Sequence, residues 1–421
     1  MSEFINRPLS RRGFLGGATV AAGLGLTACG GGQQKAAEAP SGKEGGGTIT
    51  AGTAYSTQNY DPSTTSSALA LGVNWQVVEG LYGLNFHDYS TFNELATADP
   101  KKVDDYTFEI TLRDGAKFSD GNEVKADDVV ESFNRSAAKG SVYVPMLSPI
   151  ASVEKKDDKT VTVKTTIANF SLLKERLSIV RVVPASSSQD EMKKQPVGSG
   201  PWQFESISDN TLDLVPNKNY NGATPAKDDK LHYDVLKDPT ARLTAQQDGT
   251  TLAMEMVPAD AVDQLKGAGC TVDAVQGFGV RFAMFNLGKA PWDNVKVRQA
   301  CLYALDTDKM LANAFSGQAE VATSYLPSSF ANYHKASTVY AHDVDKAKKL
   351  IAESGITPGD VVLRTTDNEQ VKSMATQVKN DLDALGFNVS IVSDTSPATY
   401  AAIDAVDGSW DILLAPGDPS C

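Results

Sequence analysis

The stretch from Asp343 to Leu414 leaves little choice of fold, because its apolar residues keep changing period. Val344, Ala347, Leu350 and Ile351 recur at helical spacing and stop at Gly355, and Val361-Val362-Leu363 is a short apolar run of strand type. Val371, Met374, Val378, Leu382 and Leu385 return to helical spacing and stop at Gly386; Val389 to Val392 and Trp410 to Leu414 are strands again. Strands separated by helices cannot pair as tight hairpins. They call for a largely parallel sheet with right-handed crossovers, so this part of the chain is α/β. Such sheets gather ligands beyond the carboxyl ends of their strands. Just upstream, Phe282 to Leu287 predicts a further strand. Val297, Cys301 and Leu305 line a helix, and Asp306 or Thr307 caps the next, with Gly317 beyond its end.

The middle of the chain has a different rhythm. Tyr106, Phe108, Ile110 and Leu112 alternate with Thr107, Glu109, Thr111 and Arg113, a period of two. Asp114-Gly115 and Asp120-Gly121 are turn signals, and Ala126 to Ala137 reads as a helix with acid in its first turn. A turn over Lys155–Lys159 leads into a strand at Val161 and Val163, so residues 86–189 form a small strand-rich unit. Before it, Thr48 to Gly52 is a strand, Tyr60-Asp61-Pro62-Ser63 a turn, and Ala68 to Leu84 a helix. After it, Pro196 to Trp202 is a rigid loop, and Asp213 to Leu236 carries short strands. Val257 to Lys266 carries a short helix, and Cys270-Thr271-Val272 starts another strand.

The N-terminus is an export signal. Arg7, Arg11 and Arg12 precede an uncharged run from Gly13 to Ala28, and Leu26-Thr27-Ala28-Cys29 closes it. That run has five Gly and falls short of the about 20 apolar residues of a membrane span. Leu26 to Cys29 resembles a bacterial lipobox, with Cys29 as the lipid-bearing residue, and Ser10-Arg11-Arg12-Gly13-Phe14-Leu15 resembles a twin-arginine signal. Residues 1–28 are then a signal peptide and 29–47 a flexible Gly-rich linker. The reading places the mature chain outside the membrane, anchored to its outer face by lipid.

Composition narrows the chemistry. The chain carries 39 basic and 52 acidic residues; residues 1–28 hold three Arg and one Glu, so removing them takes the net charge from −13 to −15. Such a surface repels phosphate backbones and argues against nucleic acid as a partner. Cys270, Cys301 and Cys421 are too few and too scattered for a disulfide framework. A Cys270–Cys301 bridge stays open, and no Cys/His spacing suggests zinc. The histidines, His87, His232, His334 and His342, are dispersed and read as exposed, and the adjacent Asp pairs read as caps and turns. Ser171-Leu172-Leu173-Lys174 and Ser208-Asp209-Asn210 match two motifs of penicillin-recognising enzymes, but no Lys-Thr-Gly follows. A serine acyl-transfer enzyme using Ser171 and Lys174 is the alternative reading. No catalytic constellation, cofactor loop or metal motif is otherwise present in the sequence, so neither cofactor nor metal is expected.

Three further motifs carry a resemblance. Leu112-Arg113-Asp114-Gly115-Ala116-Lys117-Phe118-Ser119-Asp120-Gly121, with Ala126-Asp127-Asp128-Val129 after it, is similar to the signature of family 5 solute-binding proteins. Pro196 to Trp202 resembles that family's Pro-Val-Gly-Thr-Gly-Pro-aromatic loop, and Asn294 to Asp306 its central helix. The resemblance implies a two-lobed periplasmic-binding-protein-like α/β fold of type II, cluster C. Lobe I would span 48–85 and 190–270, with 86–189 as its extra domain, and lobe II 271–421. Family members return to lobe I at the C-terminus. No helix follows the last strand before Cys421, so the chain reads as C-terminally truncated, with lobe II incomplete. The implied function is capture of a small solute, a peptide, for the permease and ATPase of an ABC importer, by a monomer that is not an enzyme. Asp418 matches the amine-binding Asp of peptide-binding relatives. Ser66 lies in the Ser63–Ser67 segment that matches a ligand-facing loop. Thr365 opens a loop, Thr365–Gln370, in which dipeptide-binding relatives place an Arg that is missing here. Arg113, Asp114, Asp120 and Arg298 are read as structural.

The anchor is directly testable. Cys29→Ser is expected to abolish incorporation of labelled palmitate and to leave the chain uncleaved or released to the medium. A Cys29→Ser variant that still enters the detergent phase as a mature lipoprotein contradicts the lipobox.

Overall fold

The computed structural model describes residues 46–417, apart from 87–88, 278, 317, 331–332, 396–397, 400–401 and 403–408. Cys29, Asp418, Cys421, His87 and Gly317 therefore lie outside the described residues.

In chain order the elements are β1 (Thr48–Thr53), α1 (Ala68–Val77), β2 (Tyr82–Leu84), β3 (Thr91–Asn93), β4 (Lys101–Lys102), β5 (Thr107–Thr111), α2 (Ala126–Ser136), α3 (Val144–Leu147), β6 (Ile150–Asp157) and β7 (Thr160–Thr165). They continue with α4 (Leu173–Ser178), α5 (Gln189–Lys194), β8 (Trp202–Ile207), β9 (Thr211–Pro216), β10 (Lys230–Val235), α6 (Pro239–Gln247), β11 (Ala253–Met254), a 3-10 turn (Ala259–Ala261) and α7 (Val262–Gly267). The last part holds β12 (Val280–Phe285), α8 (Val295–Ala304), α9 (Thr307–Phe315), α10 (Val344–Ser354), β13 (Asp360–Thr366), α11 (Glu369–Asp383), β14 (Asn388–Asp394) and β15 (Ile412–Gly417).

Three sheets each carry a core. The first, in the order β11-β1-β10-β9-β8, packs Trp202, Phe204, Leu212, Leu214 and Leu231 against Leu69, Val73 and Val77 of α1. Its strands β1, β10 and β11 run parallel. The second, β4-β5-β7-β6, is antiparallel and buries Phe108, Ile110, Val161 and Val163 against Val129 and Phe133 of α2. The third, β12-β15-β13-β14, buries Val361, Leu363, Val389, Ile412 and Leu414 against Val371, Val378 and Leu382 of α11 and Val297 and Cys301 of α8. No strand pairing among the described residues joins the first sheet to the third.

Local chemistry explains where the elements stop, and where the sequence reading moves. Residues 68–84 are not one helix. α1 ends at Val77 because the Val77 carbonyl accepts the Gly200 N–H (2.8 Å) and Val78 turns extended, which frees 82–84 to become β2. Only glycine fits that approach: a Cβ on Gly198 would lie 2.0 Å from the Val77 oxygen, and one on Gly200 2.5 Å from the Gln76 oxygen. Lys155–Lys159 is not all turn: β6 runs to Asp157, and the reversal is confined to Asp158-Lys159, with the Asp157 carboxylate accepting the Lys159 N–H (2.9 Å). Cys270–Val272 is not a strand. Gly269 sits at φ 88° and the Cys270 N–H closes α7 on the Leu265 carbonyl (3.0 Å), so the chain leaves a helix there. β12 begins two residues before Phe282 and ends at Phe285, where the Asn286 side chain accepts the Gly288 N–H (3.2 Å) in a turn. β12 is also antiparallel to β15, so the third sheet is mixed, with β13, β14 and β15 parallel. Cys270 and Cys301 are both free thiols, and burial pushes the Cys301 thiol up to about 12.

Asp411 fixes the amino end of the third sheet. It is 3% exposed, accepts from Trp292 Nε1 (2.9 Å) and the Val362 N–H (2.8 Å), and lies 2.9 Å from Lys289 Nζ. One carboxylate thus ties β13, β15 and the turn ahead of α8 together. At the start of the described chain, the Gly46 N–H meets the Lys227 carbonyl (2.9 Å) and the Gly47 N–H meets Asp229 (2.9 Å), so the backbone is held from Gly46 onward.

His232 is not a free surface residue. Its Nδ1 lies 2.6 Å from Asp213 and its Nε2 3.3 Å from Asp234, and Lys230 also reaches Asp213 (3.1 Å). The Asp213 hydrogen bond raises the imidazole pKa against a smaller opposing effect of burial. Burial pushes the Asp213 carboxyl up, but hydrogen bonds from His232, Ser206 and Lys230 outweigh it and hold the pKa below its ordinary value. A raised His contributes stability in full below its unfolded pKa of about 6.5 and loses it as pH rises through the folded value; a lowered Asp contributes above about 3.9 and loses it as pH falls. The pair therefore stabilises most between about pH 4 and 6.5. His232→Gln is expected to lower the melting temperature more at pH 5.5 than at pH 8.5. An equal loss at both pH values contradicts this.

Candidate ligand-binding site

The parallel strands of the third sheet end together at Thr366, Asp394 and Gly417. There Arg364 pairs with Asp394. Thr365 is fully buried. It shares a face of β13 with Val361 and Leu363, and its carbonyl accepts from Thr399 Oγ1 (3.2 Å). The hydroxyls of Thr365 and Thr366 and the Arg364 Nε have no hydrogen-bond partner among the described residues. A buried unpaired polar group costs about 1–3 kcal/mol. Three of them gather at the carboxyl end of β13. Asp418 follows Gly417 at this same edge in sequence and lies outside the described residues.

The first sheet offers the matching edge, where β1, β10 and β11 end at Thr53, Val235 and Met254. The loop after β1 is organised by Asp61, which is fully buried. Its carboxylate accepts from the Ser63 N–H (2.9 Å), Ser63 Oγ (2.7 Å) and Thr64 Oγ1 (3.0 Å). Ser141 Oγ donates to the Ser63 carbonyl (2.9 Å) and Tyr143 OH to the Thr65 carbonyl (3.1 Å). Ser63 and Thr65 are thereby buried, and Ser66, between the turn and the start of α1, is exposed. The sequence reading missed Glu255, which follows β11 directly and accepts from Thr53 Oγ1 (2.5 Å). The signal available was an acid ending a short run at the edge of a parallel set.

The signature arginine proves to be a half-buried tie. Arg113 meets Glu79 through two nitrogens (2.8 Å each) and donates to the Glu94 carbonyl (2.6 Å). Glu94 in turn pairs with Arg181 (2.8 Å) and accepts the Gly80 N–H (2.6 Å), and the Arg181 guanidinium lies 3.2 Å from the centre of the Trp75 ring. Burial pushes the Glu94 pKa up, and the Arg181 charge and the Gly80 N–H pull it back. Trp75 also meets Phe86 edge-on (5.0 Å between centroids). From the same turn, Tyr89 reaches Phe330, which lies between α9 and α10 (5.5 Å). The remaining signature residues act locally: Asp120 accepts the Asn122 N–H (2.9 Å), and Arg298 donates to the Trp292 carbonyl (2.6 Å).

Residues 92–419 match the family described as bacterial extracellular solute-binding proteins, family 5 Middle. Among curated proteins, the heme-binding protein A of Haemophilus influenzae is 32% identical over 363 residues, covering 76% of this chain and 64% of that protein. The glutathione-binding protein GsiB of Pectobacterium atrosepticum is 27% identical over 347 residues, covering 80% and 67%. The chain spans about half to two-thirds of the length of these curated relatives. Among solved structures, the oligopeptide-binding protein AppA from Bacillus subtilis, in complex with a nonapeptide, superposes with a TM-score of 0.76 at 21% identity, covering 90% of this chain and 80% of that one. DppA from Helicobacter pylori, in complex with the peptide STSA, gives 0.78 at 20% identity, covering 89% and 79%. AgaA from A. tumefaciens R10, in complex with agropinic acid, gives 0.75 at 24% identity, covering 87% and 76%. At these identities the likeness shows the fold, a two-lobed α/β fold.

The acyl-transfer alternative does not assemble. Lys174 is committed to Asp99 (2.6 Å) and to the face of Tyr82 (5.3 Å). Ser171 is exposed just ahead of α4, while Ser208 belongs to the β8–β9 hairpin and bonds the Thr211 N–H (2.9 Å). A fluorescent penicillin is expected to leave the chain unlabelled; an adduct mapped to Ser171 contradicts this.

Proposed function

The chain belongs to the family 5 bacterial extracellular solute-binding proteins, and from that premise we propose that it is the extracytoplasmic substrate-binding component of an ABC importer. It captures a small solute, a peptide, between two lobes and hands it to the membrane permease, whose ATPase drives uptake. Lobe I comprises 48–85 and 190–270, with 86–189 as its extra domain, and lobe II starts at 271. The supporting observation is the pair of sheets with separate cores, each with parallel strands ending in polar chemistry. Two such bodies can close on a ligand by hinge motion. Tethering through Cys29 and export of the folded chain by a twin-arginine signal complete the reading, and the protein acts as a monomer without a cofactor.

Within this reading Asp418 holds a ligand ammonium, and Ser66 contributes a hydroxyl from lobe I. Thr365 acts from beneath the surface, supporting the strand end on which the ligand rests. The names of the relatives differ in solute, heme and glutathione among them, and the peptide assignment rests on the Asp418 match and on the two peptide-bound neighbours. Asn at 418 keeps the turn chemistry but removes the charge. Loss of a buried partner to an ammonium costs about 2–5 kcal/mol. In the full-length protein with its identified ligand, Asp418→Asn is expected to weaken binding by tens-fold to thousands-fold in titration calorimetry, with little change in ligand-free melting. Unchanged affinity for an amine-bearing ligand removes Asp418 from the site.

A further inference from the structure

Glu255 is a carboxylate held in place with nothing to neutralise it. Its Oε1 accepts from Thr53 Oγ1 (2.5 Å) and the Ala54 N–H (3.2 Å). Thr53 is itself oriented by the Tyr55 N–H, which donates to its hydroxyl (3.2 Å). The Glu255 backbone N–H is spent on the Gly52 carbonyl (3.3 Å). Both hydrogen bonds to the side chain use one oxygen. Oε2 makes no hydrogen bond among the described residues, and no Lys, Arg or His there comes within ion-pair distance. Most glutamates of the strand-rich unit differ: Glu94, Glu109, Glu123 and Glu154 each have a cation.

The place matters as much as the pairing. Glu255 stands at the carboxyl ends of β1 and β11, in the parallel part of the first sheet, where open α/β sheets receive ligands. The residue is exposed; Met256, next in sequence, is 45% exposed, and Tyr55, two residues past Thr53, is 36% exposed. Met256 adopts φ 53°, a left-handed conformation unusual for its type, directly after the carboxylate. On the adjacent β10, Tyr233 accepts from Gln76 Nε2 (2.8 Å), which leaves its own hydroxyl proton to donate. Burial raises the Tyr233 pKa, against the Gln76 hydrogen bond and with a smaller push from the Glu255 charge, so that proton is present at neutral pH.

We propose that Glu255 is lobe I's acceptor for a cationic nitrogen of the ligand, with Tyr55 and Met256 covering an apolar substituent next to it and Tyr233 donating to a ligand oxygen. The solute class is an amine: a peptide or amino-acid derivative with an ammonium flanked by apolar carbon. This deepens the receptor reading and rests on it. The pinned oxygen makes the site specific for charge, because glutamine at 255 keeps an oxygen for Thr53 and Ala54 and changes only the outward group.

The test uses the full-length protein, freed of retained solute, as wild type, Glu255→Gln and Asp418→Asn. The probes are tripeptide pools with a free α-amine, with an acetylated amine and a lysine side chain, or acetylated and without lysine. Wild type is expected to bind one cationic pool at least ten-fold more tightly than the neutral pool by calorimetry, and Glu255→Gln to cut that preference ten-fold or more at unchanged melting temperature. A preference lost in Asp418→Asn but intact in Glu255→Gln overturns the assignment, as does equal binding of all pools. If no pool binds while native mass spectrometry shows another solute retained, the Glu255 proposal fails and the receptor reading stands. If no solute of any kind is retained or bound, both fail.

Discussion

Two buried ion pairs hold the first half of the molecule to one geometry. Glu79 and Glu94 face Arg113 and Arg181, and the four residues come from segments far apart in the chain. Glu79 follows α1, Glu94 follows β3, Arg113 follows β5 and Arg181 follows α4. Removing one partner of such a pair strands a charge and costs about 3–5 kcal/mol, so the four are kept or lost together. The network fixes where the strand-rich unit sits on the first sheet. It also fixes Trp75, on whose face the Arg181 guanidinium lies. Phe86 packs against the same Trp75 ring.

The third sheet carries polar groups at both ends. At the amino end of β15, Asp411 is engaged by Trp292, Val362 and Lys289. At the carboxyl end, the Thr365 and Thr366 hydroxyls are buried without partners among the described residues. The first sheet repeats the arrangement with Glu255, whose one oxygen is fixed and whose other is open.

The third sheet was legible because its periodicities are clean. Val371, Val378 and Leu382 fall on one face of α11, and Gly355 and Gly386 stop their helices at φ 74° and 95°. What was not legible depended on partners distant in sequence. Nothing within residues 68–84 says that a loop about 120 residues later takes the Val77 carbonyl and ends the helix. The antiparallel pairing of β12 depends on β15, and the pairing of His232 depends on which residues of β9 lie opposite it. Among the proposed site residues, Ser66 is exposed, and Thr365 is turned toward the core by the alternation of β13. Glu255 stayed hidden because a single acid at a strand end has no motif, and only the Thr53 and Ala54 bonds distinguish it from a solvated side chain.

Two bodies that close around a solute must change their separation when it binds. Spin labels on cysteines placed at Lys139 and Lys349, both exposed, one in each half, report that separation in a Cys29→Ser, Cys270→Ser and Cys421→Ser background. The measurement is the distance distribution by pulsed dipolar spectroscopy. It is taken on the full-length protein stripped of solute, then with the solute extracted from it restored. A broad, longer distribution that narrows and shortens on addition is the predicted result. An identical distribution in both states, with binding of the solute verified by native mass spectrometry in the same sample, contradicts it.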